Sequence, residues 1–129
     1  MSYGKANVDV IQSSTANVPV QFNDGNGTQV GTLCRAWVNF NGTGTVAIRA
    51  SFNVSSITDN GTGDYTINFT NAMTDTSFSV VAMPGSGSAI NNYAAAEKSD
   101  VRTSSSVRIQ IWNGSSLYDI AYNSAAVFR

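Results

Sequence analysis

Apolar and polar residues alternate with a period of two over much of this chain. In Arg35–Phe40, Ala36, Val38 and Phe40 share one face, and Arg35, Trp37 and Asn39 share the other. Tyr65, Ile67 and Phe69 alternate with Thr66 and Asn68, and Val107, Ile109 and Ile111 alternate with Arg108 and Gln110. Successive side chains of a strand point to opposite faces, so this pattern describes strands with one face in a core and one in water. It predicts strands near residues 7–12, 17–22, 29–40, 45–57, 64–69, 77–83, 90–97, 105–112 and 118–128. Asp24-Gly25, Asn26-Gly27, Asn41-Gly42, Asn60-Gly61 and Asn113-Gly114 punctuate them. Asn and Gly tolerate the positive φ that tight hairpin turns demand.

Short strands at this regular spacing predict an all-β fold, an antiparallel β-sandwich of jelly-roll-like character. Helix signals are weak. Residues 71–76 suit one helical turn or a loop. Residues 92–98 have helix propensity, but the segment is short and lies between strand signals, so tertiary context favours a strand. Residues 1–34 are polar, with Tyr3 and Phe22 their only aromatics. Residues 1–30 are therefore expected to form an extended N-terminal arm for attachment, and residues 31–129 the sandwich. Residues 84–88, Pro-Gly-Ser-Gly-Ser, read as a flexible loop.

Composition narrows the function classes. A net charge of −1, with the basic residues scattered, gives no patch for nucleic acid or an anionic membrane. No apolar run approaches a membrane span, and the opening residues lack the apolar core of a secretory signal. The chain is expected to be made in a bacterial cytoplasm without membrane insertion. The single cysteine, Cys34, rules out an intrachain disulfide and reads as a small buried hydrophobe. The six glycosylation-type triplets, at Asn26, Asn41, Asn53, Asn60, Asn68 and Asn113, follow from a composition rich in Asn, Ser and Thr.

The absence of histidine removes the Ser-His-Asp and Cys-His constellations and most general-base chemistry near neutral pH. No carboxylate pair is placed by the sequence as a glycosidase would need. No enzyme activity and no cofactor are expected. The most site-like segment is Asp59-Asn-Gly-Thr-Gly-Asp64, whose oxygens would suit a hard cation. It lacks the distal bidentate Glu of an EF-hand, and the reading preferred is a hairpin turn served by Asp59 and Asp64 with no metal. Trp37, Trp112, Tyr93, Tyr118 and Tyr122 suit a sugar-stacking face, but core filling is the commoner role for such residues. Trp37 and Trp112 stand out because each lies opposite the apolar set of its own strand. They are the candidates for a subunit interface.

The stretch from Arg35-Ala-Trp-Val-Asn-Phe-Asn-Gly-Thr-Gly-Thr through Asp59-Asn-Gly-Thr-Gly-Asp-Tyr-Thr-Ile-Asn-Phe69 resembles a module of tail-fibre and other virion proteins of tailed bacteriophages, including those of marine and cyanobacterial hosts. The similarity is close over residues 35–73 and looser to the C-terminus. The opening Met-Ser-Tyr-Gly-Lys-Ala-Asn-Val-Asp-Val-Ile resembles the attachment segment of such proteins. The resemblance implies a non-enzymatic virion component, a β domain that trimerises, with other virion proteins and a host-surface glycan or protein as further partners. It carries over no catalytic residues. Many relatives have long repetitive stalks upstream of the motif, whereas 34 residues precede it here. The first expectation is a tail-fibre or tail-appendage subunit located in the virion. The alternative is a capsid decoration or cement protein.

Overall fold

The computed structural model describes Ile11, Gln12, Ser14, residues 21–23 and 28–30, and residues 33–85 and 93–129. The chain divides into two compact units, Met1–Leu33 and Cys34–Arg129. In the first, β1 (Gln21–Asn23) and β2 (Thr28–Val30) pair antiparallel, with Phe22 opposite Gln29. The strands expected at 17–22 and 29–40 are thus seen in part within the arm, paired with each other. The strand expected at 7–12 is not formed at Ile11 and Gln12, and its other residues lie outside the described set. The same holds for residues 17–20, 86–88 and 90–92 of the other expected elements.

The second unit holds β3 (Cys34–Asn41), β4 (Ala47–Phe52), β5 (Val54–Gly61), β6 (Asp64–Phe69), β7 (Ser79–Gly85), β8 (Ala94–Glu97), β9 (Ser106–Trp112) and β10 (Tyr122–Phe128). Among the described residues one 3-10 turn, Ser99–Val101, interrupts them. Two antiparallel four-stranded sheets result. Sheet I has the order β4-β3-β10-β7, and sheet II the order β5-β6-β9-β8. The pairs β3–β4, β5–β6 and β8–β9 are sequence neighbours within one sheet, while the other links cross between sheets. The first and last of these strands are hydrogen-bonded neighbours. The fold is the expected β-sandwich.

The predicted inward residues make the core. Ala36, Val38 and Phe40 of sheet I meet Tyr65, Ile67, Phe69, Val107, Ile109 and Ile111 of sheet II, all buried. Phe40 packs edge-on against Tyr65 at 5.1 Å between ring centroids, joining the two layers. Phe78, from the link into β7, packs edge-on against Phe69. Residues 71–76 are loop, and Ala94–Glu97 is strand, as the tertiary context requires.

One expected strand, 45–57, is two. The chain breaks at Asn53, whose φ is 55°, and passes there from sheet I to sheet II. Asn is among the few residues that adopt this region without large strain. Its side chain fixes the corner from both sides. Nδ2 donates to the carbonyls of Arg35 and Asn71 at 3.0 and 3.1 Å, and Oδ1 accepts from Asn71 N at 2.8 Å. The periodicity signal cannot see such a corner, because apolar alternation continues on both sides of it.

A second lock closes the other end. The Tyr65 hydroxyl lies 2.8 Å from the Gly42 carbonyl and 2.7 Å from Asp119 Oδ1. Asp119 Oδ1 also accepts from Gly63 N at 2.7 Å. Gly42 donates its N–H to Ile120 O at 3.0 Å. A Cβ at Gly42 would stand 2.6 Å from the Tyr65 hydroxyl, 2.7 Å from Asn123 Nδ2 and 2.8 Å from Ile120 O. No alanine fits without moving buried groups. Gly42→Ala is expected to cost about 3 kcal/mol by overpacking. Tyr65→Phe is expected to cost about 1–3 kcal/mol by stranding buried acceptors. Because they share this contact, the double variant should lose less than the sum, as read from urea midpoints at constant slope.

Candidate functional site

Trp37 and Trp112 both point away from the core, and both are 40% exposed. They stand on different sheets, Trp37 on sheet I and Trp112 on sheet II. The outer faces of a sandwich look in opposite directions, so the structure does not bring the two rings into one patch. The core-filling role expected for most of the aromatics is also corrected. Trp37, Trp112, Tyr118 and Tyr122 are all exposed, and only Tyr93 packs partly against the core, with its ring stacked on Tyr118. Each lies on an outward strand position or in the link after β9, where no second layer covers it.

The outer face of sheet I is apolar. Pairing registers place Phe52, Trp37, Ala126 and Val81 side by side across four strands. Met83 lies opposite Ser124 in the next row, and Tyr122 and Phe128 continue the outward side of β10. Exposure reaches 58% at Val81 and 69% at Met83. Small Ala126 between the Trp37 ridge and the Val81–Met83 ridge leaves a shallow cavity of about 360 Å³. Its wetter end is lined by Asn39 and Ser124, which bond at 3.0 Å. Arg35 and Arg49 are the charges on these strands, with Arg49 lying 4.2 Å above the Tyr122 ring. None of β3, β4, β7 and β10 contains a carboxylate.

The outer face of sheet II is polar. Asn68 lies between Ser56 and Ser106, Thr66 between Thr58 and Arg108, and Gln110 between Asp64 and Ala96. Asn68 Nδ2 donates to Thr58 Oγ1 at 2.9 Å, and Asn60 Nδ2 to Thr66 Oγ1 at 2.9 Å. The two carboxylates of the 59–64 segment part company here. Asp59 serves the turn, accepting from Gly61 N at 2.9 Å. Asp64 does not. It begins β6 on the outer face, where it accepts from Arg108 Nε at 2.6 Å and from Arg108 Nη2 and Gln110 Nε2, each at 2.8 Å. Among the described residues no three or more ligating side chains gather at one point. The link from Asp64 to Arg108 spans 44 positions and has no local signal in the sequence.

Two further ion pairs hold loops. Arg102 pairs with Glu97, donates to the Thr76 and Phe78 carbonyls and lies over the Phe78 ring. Arg129 pairs with Asp75. Cys34 is half-buried, with Sγ near the Ala36 and Val127 carbonyls. Burial, reinforced by the Asp119 carboxylate, pushes the Tyr65 phenol well above its usual range, so it stays a donor.

Hydrogen bonds from Arg108 hold Asp64 below the ordinary carboxyl value of 3.8. A carboxyl lowered on folding stabilises the fold at pH above its ordinary value. That contribution fades as pH falls through the lowered value. Asp64→Asn should therefore lower the urea midpoint at pH 7, and the gap from wild type should narrow steadily below about pH 4. A gap that is constant with pH would contradict the ion pair.

No family model, curated protein or solved structure matches this chain.

Proposed function

We propose that the chain is a non-catalytic subunit of a tailed-phage virion, a tail fibre or tail appendage, working as a homotrimer joined through the outer face of sheet I. The observation that carries this reading is the apolar row Phe52, Trp37, Ala126 and Val81 with Met83, Tyr122 and Phe128 around it. Aromatic side chains bury about 150–250 Å² each, so this half-exposed set leaves on the order of 500 Å² of apolar surface in water. That lies in the upper part of the range for a monomer's largest patch, about 300–600 Å², and is more than half of the ~800 Å² per partner of a standard interface.

A second copy fits better than another occupant because the sheet edges beside the face are also unguarded. The outer strand β7 has no charge along Ser79–Gly85, and β4 has only Arg49. Edges without Lys or Glu invite a neighbour. Arg35 and Arg49 disfavour a twofold contact, which would set like charges against each other with no carboxylate on the face to offset them. A ring in which this face meets a different patch of the next copy avoids that clash, and three copies close it in agreement with the phage-type resemblance.

In light scattering the protein should run at close to three times the 13.6 kDa chain mass. Met83→Asp, which changes an exposed position of the single chain, should give a smaller species with an unchanged circular dichroism spectrum. A wild-type protein that is monomeric at micromolar concentration would overturn the trimer. Immunogold labelling of assembled virions should mark the tail, and label spread over the head would replace the tail assignment with capsid decoration.

A further inference from the structure

Trp112 closes β9 on the polar face of sheet II, directly opposite Ala94, whose small side chain leaves the indole open from the β8 side. Two residues earlier, about 7 Å back along the strand, Gln110 lies between Asp64 and Ala96. Asp64 is 7% exposed and binds both Gln110 and Arg108 from beneath. Spare capacity remains at the surface. Among the described residues the Gln110 side-chain carbonyl accepts no bond, and Arg108 Nη1 donates none. On the side away from Ala94, Trp112 pairs with Leu117, and Asn113 Oδ1 ties down the turn between them by accepting from Ser115 N and Ser116 N at 3.2 and 3.1 Å. Groups already fixed by a partner lose little further side-chain freedom when a ligand arrives.

These features favour one ligand chemistry. Arg108 is matched by Asp64, and nearby Lys98 by Asp100 at 3.3 Å, so the face holds no surplus charge for an anion. A peptide strand would need an open backbone edge or a side-chain pocket. In sheet II the open edges belong to the outer strands β5 and β8, and a strand added there would extend the sheet sideways rather than lie over Trp112 on β9; the cavity described above lies on the other sheet. What fits is a neutral molecule with a flat C–H face to cover an indole and adjacent hydroxyls that both donate and accept.

The geometry points to a neutral-saccharide site in which one sugar ring stacks on Trp112 while vicinal hydroxyls donate to the Gln110 carbonyl and accept from Arg108 Nη1. The site rests on the trimer reading only in taking this face as the one that assembly leaves open.

The test is a titration of the full chain with methyl glycosides of glucose, galactose, mannose and N-acetylglucosamine, followed by the indole N–H signals of its two tryptophans. The Trp112 signal should move saturably with at least one glycoside, with a dissociation constant on the order of 1 mM. The Trp37 signal should stay in place. Trp112→Ala and Ala94→Glu should each weaken binding about tenfold or more, and Gln110→Ala about threefold to tenfold. Ala94→Glu keeps the indole and changes an exposed position, so it tests the site even if Trp112→Ala does not fold. A silent Trp112 signal at about 50 mM of every glycoside would overturn the site, since a millimolar site would then be nearly full. So would unchanged affinity in Ala94→Glu, or, in a parallel titration with methyl glucuronide, binding confined to that anionic sugar. Mass by light scattering in the same samples separates the two proposals. A monomer whose Trp112 responds removes the trimer and keeps the site, and a trimer whose Trp112 is silent does the reverse.

Discussion

The Tyr65 hydroxyl, wedged between the Gly42 carbonyl and Asp119, is the contact on which the arrangement of the sandwich most depends. Tyr65 belongs to sheet II, Gly42 follows β3 of sheet I, and Asp119 precedes β10, the last strand in the chain and the neighbour of β3. One phenol thus ties together three segments far apart in sequence. The tie is tight enough that only glycine fits at position 42. Phe40 packing edge-on against the same ring extends the lock into the core. With Asn53 holding a sheet-to-sheet corner elsewhere, the two layers have little freedom to slide. Their outer faces are then fixed surfaces on which function can be built.

Much of the layering was legible before any coordinates. Ala36, Val38, Phe40, Tyr65, Ile67, Phe69, Val107, Ile109 and Ile111 were assigned inward by period alone, and all are buried. Strand phase is a local property, so a local pattern reveals it. The same phase assigned Trp37 and Trp112 outward, where both are found. What period could not reveal was pairing. That Trp37 shares a row with Phe52 and Val81, that Asp64 lies under Arg108, and that Trp112 belongs to the opposite sheet all depend on contacts between distant strands. Asn53 was legible only as part of a glycosylation-type triplet. The residue that tolerates positive φ was present, but nothing nearby marked it as a corner rather than a strand position.

The two outer faces differ in kind. On sheet I, large apolar side chains flank small ones and the only charges are arginines. Such a face gains most from being covered, because the free energy of apolar burial scales with area. On sheet II, hydroxyl, carboxamide and ion-paired groups bond to one another across the strands, and a single tryptophan interrupts them. A face of this kind gains little from being covered by protein, since each satisfied polar group would need a new partner. The proposed division of labour, assembly through one sheet and recognition through the other, follows from that contrast.

Fluorescence quenching of single-tryptophan variants tests this division most directly. Trp112→Phe leaves Trp37 as the sole indole, and Trp37→Phe leaves Trp112. Acrylamide should quench Trp37 poorly when the protein is assembled and efficiently after dilution below the association range. Trp112 should be quenched to the same extent at both concentrations. Shielding of Trp112 in the assembled protein, with Trp37 open to quencher throughout, would contradict the account.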